Sequence, residues 1–150
     1  MINESKTSPN LPFTIPIPVR ITDINYGMHL GHMAVVGIFH NARVLFLNSH
    51  GFKEMDIEGV GLILLNSHYF FKNEASFNDN LLVSVGIGEF SKLKLNFIYK
   101  AVNQKTGLEV VSGHEEIACF DYTKRKISRI PSSFLEFCKK NKNNPSEQIS

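Results

Sequence analysis

The sequence has no tryptophan, only two cysteines, and a net charge of just +2 from sixteen basic and fourteen acidic residues. Each scarcity closes off a class of function. Cys119 and Cys138 lack the spacing of a zinc site, and two cysteines cannot build the disulfide framework of a small secreted domain. A single bridge stays open, although reduced thiols in a cytoplasmic protein are the simpler reading. Charges of both signs are intermixed, which leaves no basic footprint for nucleic acid. No run reaches the roughly 18 apolar residues of a membrane span. The nearest candidate, from Met33 onward, is broken by His40, Asn41 and Arg43. Residues 1–10 hold neither a basic nor an apolar signal region, so no secretory leader is expected. What remains is a chain of 150 residues, 43% hydrophobic and 20% charged, which suits one soluble domain with a substantial core. Residues 1–150 are read as that single domain, with flexible tails at 1–10 and 141–150.

The chain is organised around Asp23-Ile24-Asn25-Tyr26-Gly27-Met28-His29-Leu30-Gly31-His32. Before it, Phe13, Ile15, Ile17, Val19 and Ile21 alternate with polar residues and prolines, the period-2 pattern of a strand with one buried face. Pro16 and Pro18 cannot donate to a ladder, which places that strand at a sheet edge. After it, His32 to Ser49 predicts a helix that is apolar almost all round and closes at Gly51. Such a helix must be wrapped by the rest of the protein. A strand that turns through a polar, glycine-containing segment into a buried helix places unpaired backbone N–H groups where an electronegative ligand atom can meet them.

Strand patterns follow at 61–72, 81–90, 93–101 and 108–121, with a short one at 127–130 and an amphipathic helix at 131–140. The 61–72 segment, apolar on both faces at its start, is expected to be central. Val111, Gly113, Glu115, Ile117 and Cys119 share one face of the 108–121 strand, while Glu115 and Glu116 are read as a solvated or interface pair. The fold class is α+β, an antiparallel sheet of five or six strands curled around one long helix.

These residues resemble the hotdog-fold acyl-CoA thioesterases of the 4-hydroxybenzoyl-CoA thioesterase-like group. The group's Asp-x-Asp-x-x-x-His-x-x-Asn signature appears as Asp23-Ile24-Asn25, then His29, then His32. Ala42-Arg43-Val44-x-Phe46-Leu47, Gly51-Phe52, Asp79 within the 69–81 stretch, and the span from Asp121-Tyr122 to Ile130-Pro131 extend it over residues 12–135. The departures are specific. The signature's second Asp, a nucleophile or base in many relatives, is Asn25. The helix carboxylate of another branch is Asn41. Both usual carboxylates are therefore amides, which can donate and accept hydrogen bonds but cannot act as a base at neutral pH.

The resemblance implies thioester hydrolysis at the helix N-terminus. Asn25, His29, Asp23 and His32 are its catalytic candidates, and Asn41, Ser67, His68 and Lys92 its substrate-binding candidates. Asp23 either anchors Arg20 or Arg43 or orients His29. The His32 backbone amide, rather than its imidazole, would polarise the carbonyl. Asn25 and His29 serve either the turn or the chemistry. No metal is expected, because no His or Cys grouping has ligand spacing. Coenzyme A would enter only as part of the substrate, with no separate cofactor. A homodimer or homotetramer is implied, with an acyl carrier protein as a possible partner. The alternative is a protein of the same fold that holds acyl-CoA or an acyl carrier without hydrolysing it.

Overall fold

A computed structural model describes residues 11–143. Strand β1 (Phe13–Pro18) leads through a 3-10 turn at Ile21–Asp23 to helix α1 (His32–Ser49). Strands β2 (Gly61–Phe71), β3 (Asn80–Phe90), β4 (Lys94–Asn103), β5 (Glu109–Asp121) and β6 (Lys126–Ser128) follow, and helix α2 (Ser132–Asn141) comes last. One six-stranded antiparallel sheet runs β1-β3-β4-β5-β2, and β6 pairs with the end of β5. This is the hotdog arrangement that the resemblance implies.

β1 is the edge strand its prolines required. Among the described residues it pairs only with β3, its odd residues half-buried and Thr14, Pro16 and Pro18 exposed. The pattern ends sooner than its alternation suggests. The chain leaves the sheet after Pro18, and Ile21 is exposed on the 3-10 turn. The opposite edge is β2, which among the described residues pairs with β5 alone. Its two-faced apolar pattern pointed to a central strand. Instead Leu64, Leu65, Phe70 and Phe71 are exposed at the edge of this chain.

Alternation sets the core. Leu81, Val83, Val85 and Ile87 of β3 share it with Leu95, Phe97, Tyr99 and Ala101 of β4 and with Val111, Ile117 and Cys119 of β5. Helix α1 buries Val35, Ile38, Phe39, Ala42, Phe46 and Leu47 against them. Its other side is open. Met33, Val36, Gly37, His40, Asn41, Leu45 and Asn48 are exposed, so one chain wraps only part of the helix. Gly51 takes the left-handed conformation expected at the helix end, with φ 81°. Helix α2 closes one end of the barrel with Phe134 and Phe137 against Phe52 and Phe46.

Residues 141–143, read as the start of a tail, are tied to the fold. Asn141 still belongs to α2, and Asn143 donates its backbone N–H to the Ile87 carbonyl at 2.8 Å. Residues 1–10 and 144–150 lie outside the described residues. Both cysteines are free and buried, and burial pushes the Cys119 thiol up to about 11. No helix among the described residues is long and apolar enough to cross a membrane.

Candidate active site

The polar stretch folds into a small hairpin in front of α1. Ile24 and Leu30 form an antiparallel bridge, Asn25 N–H donates to the His29 carbonyl at 3.0 Å, and Met28 N–H returns to the Asn25 carbonyl at 3.0 Å. Met28, at φ 66°, carries the left-handed residue that closes the turn. The Asn25 side chain stiffens it further, its Oδ1 accepting from Gly27 N–H at 2.9 Å. That bond fixes the amide's orientation and leaves Nδ2 as its donor.

Gly31 caps α1 at a φ of −85° that any residue can adopt, but the space beside it is tight. A Cβ there would meet Asn25 Cβ at 3.2 Å and Asn25 Nδ2 at 3.6 Å, so Asn25 lies directly over the helix start. A Cβ on Gly27 would meet His29 Nε2 at 3.1 Å and Asn25 Oδ1 at 3.2 Å. One glycine thus lets Asn25 lie over the helix start, and the other lets the His29 imidazole and the Asn25 side chain approach each other in the hairpin. The first intrahelical bonds run from Ala34 and Val35 to the Gly31 carbonyl, so the amides of His32 and Met33 have no partner inside the helix. Both residues are exposed, and the helix start is open.

His29 Nδ1 faces the Leu30 carbonyl at 3.4 Å. A carbonyl only accepts, so Nδ1 carries the hydrogen and Nε2 keeps its lone pair. Glu74 Oε1 stands 3.7 Å from Nε2. The next residue, Ala75, is buried and takes the Leu30 N–H at 2.8 Å, which ties the β2–β3 loop to the hairpin. Glu74 gave no signal in the sequence, since only this loop crossing brings it near.

Asp23 is the anchor, not the partner of His29. Its Oδ2 accepts from Arg20 N–H at 2.8 Å and from Nε at 3.3 Å, while Oδ1 accepts from the guanidinium at 3.2 Å. Asn41 lines a cleft of about 410 Å3 with Ile17, Pro18, Arg20, Gly37 and Ile38. That cleft begins about 7 Å along the helix from its start. Within one chain, the other substrate-binding candidates stand apart from it. Ser67 and His68 lie on the far edge strand and, as neighbours in a strand, face opposite ways. His68 stacks on His114, ring centroids 5.0 Å apart, on the face away from Glu115. Lys92 sits in the β3–β4 turn, at the end of β3 remote from the hairpin. The length of that strand puts it roughly 30 Å away.

One cluster was misread from the sequence. Glu115 is buried, and the Arg43 guanidinium donates to it at 2.7 Å and to Glu54 at 2.6 Å. Tyr69 donates to Glu115 at 2.6 Å, and Tyr99 also donates to it. Burial works against the Arg43 charge, yet Tyr99, Glu54 and Glu115 together hold its pKa above the ordinary value. Burial, and then the bond to Glu115, push Tyr69 up to about 12. The clue was its place beside Val111, Ile117 and Cys119 on the inward face of β5.

A family model described as the thioesterase-like superfamily matches residues 19–138. Among solved structures, the chain is similar to the 1,4-dihydroxy-2-naphthoyl-CoA thioesterase Slr0204 from Synechocystis. The two share 18% identity at a TM-score of 0.77, over 85% of this chain and 95% of that one. The gentisyl-coenzyme A thioesterase BH1999 matches at 21% identity and a TM-score of 0.73, over 82% of this chain and 99% of its own. SAV2348 from Staphylococcus aureus, solved in complex with CoA, matches at 20% identity and 0.77, over 92% and 89%. Comparison with curated proteins finds no match.

Proposed function

This chain belongs to the thioesterase-like superfamily, and on that premise we propose that it hydrolyses an acyl-CoA thioester at the start of α1. The observation that carries the reading is the open, glycine-capped helix start with Asn25 lying over it and His29 Nε2 beside Asn25 in the hairpin. The thioester carbonyl oxygen points at the His32 and Met33 amides, where the helix dipole favours negative charge. Asn25 adds a third donor. A water on the other side of the carbonyl gives its proton to His29 Nε2 as its oxygen bonds to carbon. The C–S bond then breaks, and the thiolate recovers that proton from the imidazolium. Glu74 faces the nitrogen on which the positive charge develops. The acyl group follows the cleft past Gly37 toward Asn41.

Relatives of the same fold support this substrate class. Slr0204 and BH1999 are thioesterases of aryl-CoA compounds by name, and SAV2348 was solved with CoA. Purified protein, assayed on short, long and aryl acyl-CoAs, should turn over at least one of them. His29→Ala and Asn25→Ala should each lose about a hundredfold, near 3 kcal/mol of transition-state stabilisation. Unchanged turnover in both would remove the site.

The amides at positions 25 and 41 favour one other reading, in which acyl-CoA or an acyl carrier protein is held without hydrolysis. Acyl-CoA affinity with no turnover across the panel would select it.

We also propose a homodimer or homotetramer. The free edge of β2 and the open side of α1 expose Leu64, Leu65, Phe70, Phe71, Met33 and Leu45, more than a solitary edge strand normally leaves uncovered. Pairing there would bring Ser67 of a second copy toward the cleft. Light scattering should give a multiple of 17.0 kDa, and Leu65→Lys should lower it. The buried, reduced thiols suit the cytoplasm.

A further inference from the structure

The cleft of about 410 Å3 beside Gly37 lies between α1 and the end of β1, at the sheet edge opposite β2, so the β2 edge supplies neither of its walls. Ile17, Pro18 and Ile38 give it apolar surface, and Arg20 and Asn41 are its polar residues. Gly37 keeps it open, since a Cβ there would meet no neighbouring atom within 4 Å. Arg20 is held from one side. Asp23, whose side chain is only 4% exposed, takes its backbone N–H at 2.8 Å, its Nε at 3.3 Å and its Nη2 at 3.2 Å. A guanidinium can pair along more than one edge. Asp23 occupies the Nε–Nη2 edge, and the Nη1–Nη2 edge has no partner among the described residues. Such an edge matches a second carboxylate in bidentate geometry. The Asn41 side chain is likewise without a hydrogen-bond partner among the described residues. No carboxylate among them lines the cleft, so an anion for the open edge of Arg20 would come from a ligand.

We propose that this cleft selects an acyl group that ends in a carboxylate, a medium-chain ω-carboxyacyl thioester, with Arg20 and Asn41 as the specificity-determining residues. The proposal rests on the thioester reading above, which puts the acyl carbonyl at the helix start. Gly37 and Asn41 stand about 7 and 13 Å along the helix from that point. An extended chain of about eight carbons spans roughly 9 Å, which brings its far carboxylate between those two residues, where Arg20 lines the cleft. The methylenes lie along Ile17, Pro18 and Ile38. The Nη1–Nη2 edge of Arg20 takes the carboxylate, the Asn41 amide adds a hydrogen bond, and Asp23 positions the guanidinium. A plain alkyl chain of the same length leaves both polar groups unpaired. Arg20 is 71% exposed at the side chain, so screening by water holds the expected gain to about fivefold.

The test compares matched pairs on the full-length protein: suberyl-CoA against octanoyl-CoA, and adipyl-CoA against hexanoyl-CoA. In each pair kcat/KM should favour the carboxyl-ended substrate by about fivefold. Arg20→Gln should bring that ratio to about one, and Asn41→Ala should lower it. The members of a pair share the thioester and the site, so a folding defect slows both alike and the ratio reads the cleft alone. Calorimetry of suberyl-CoA and octanoyl-CoA binding, on the same variants, reads the preference without hydrolysis. Turnover with no preference, or a preference that survives Arg20→Gln, would overturn the proposal and leave the thioester reading standing. Tighter binding of suberyl-CoA that depends on Arg20, with no turnover, would remove hydrolysis and uphold the selectivity of the cleft. Equal binding with no turnover would remove both.

Discussion

Helix α1 meets polar side chains at two places, and they are built in opposite ways. Around Arg43 the guanidinium, two carboxylates and two phenols are matched donor to acceptor in the core. At the helix start, Asn25 has one oxygen engaged and its Nδ2 turned to the helix cap, and His32 and Met33 have amides without helical partners. The first arrangement leaves little capacity to bind anything further and specifies how helix and sheet dock. The second keeps hydrogen-bonding capacity in reserve at an open surface. Stability and the proposed reactivity thus fall at different turns of one helix. Interactions satisfied internally stabilise the fold, and only unsatisfied ones are available to a transition state.

Substitutions can break that contrast from either side. The largest effect is expected at the buried end. Arg43→Ala leaves Glu115 charged and without its guanidinium, and should cost about 3–5 kcal/mol in urea unfolding, with Glu115→Ala close behind. At the helix start the pattern reverses. His29→Ala should cost about 3 kcal/mol in kcat/KM toward the best thioester while moving the urea midpoint little, since the ring is partly exposed and meets only its neighbour's carbonyl and the exposed Glu74 among the described residues. A variant that lost stability and activity in parallel would show the two regions to be one.

Gly113→Ala sharpens the comparison from the sheet. A Cβ there would lie 2.5 Å from the His68 carbonyl and 2.6 Å from the Tyr69 ring, so Tyr69 must leave Glu115. A loss of about 1–3 kcal/mol is expected, measurable by denaturation. The smallest effect is in alkali. Tyr69 is raised in the fold, so its contribution is complete below the ordinary tyrosine value near 10 and is lost as pH rises through about 12. Urea midpoints should fall between those values, and Tyr69→Phe should flatten part of the fall.

Much of the fold was legible because burial imposes period. Helix α1 begins at His32 and ends at Ser49 as its pattern and Gly51 require, and β5 presents the inward face that its alternation marks. What misled was burial supplied from elsewhere. The apolar residues of β2 and the all-round helix read as interior, yet in one chain they line an edge and an open side. The hairpin was legible as a candidate site because Asn, Gly and His are turn residues with spare polar atoms. Roles within it were less so, for Asp23 could have faced Arg20, Arg43 or His29, and only the 3-10 turn brings it to Arg20.

By itself, the sequence determined the order of elements, the start of the central helix and the amides at positions 25 and 41, because periodicity and residue chemistry are local properties. Only the tertiary structure decided which charges meet. Glu74 reaches His29 because a loop crosses the helix start, and Glu115 meets Arg43 because β5 faces α1. Those pairs are 45 and 72 residues apart in the chain, and no local pattern encodes a contact at that range.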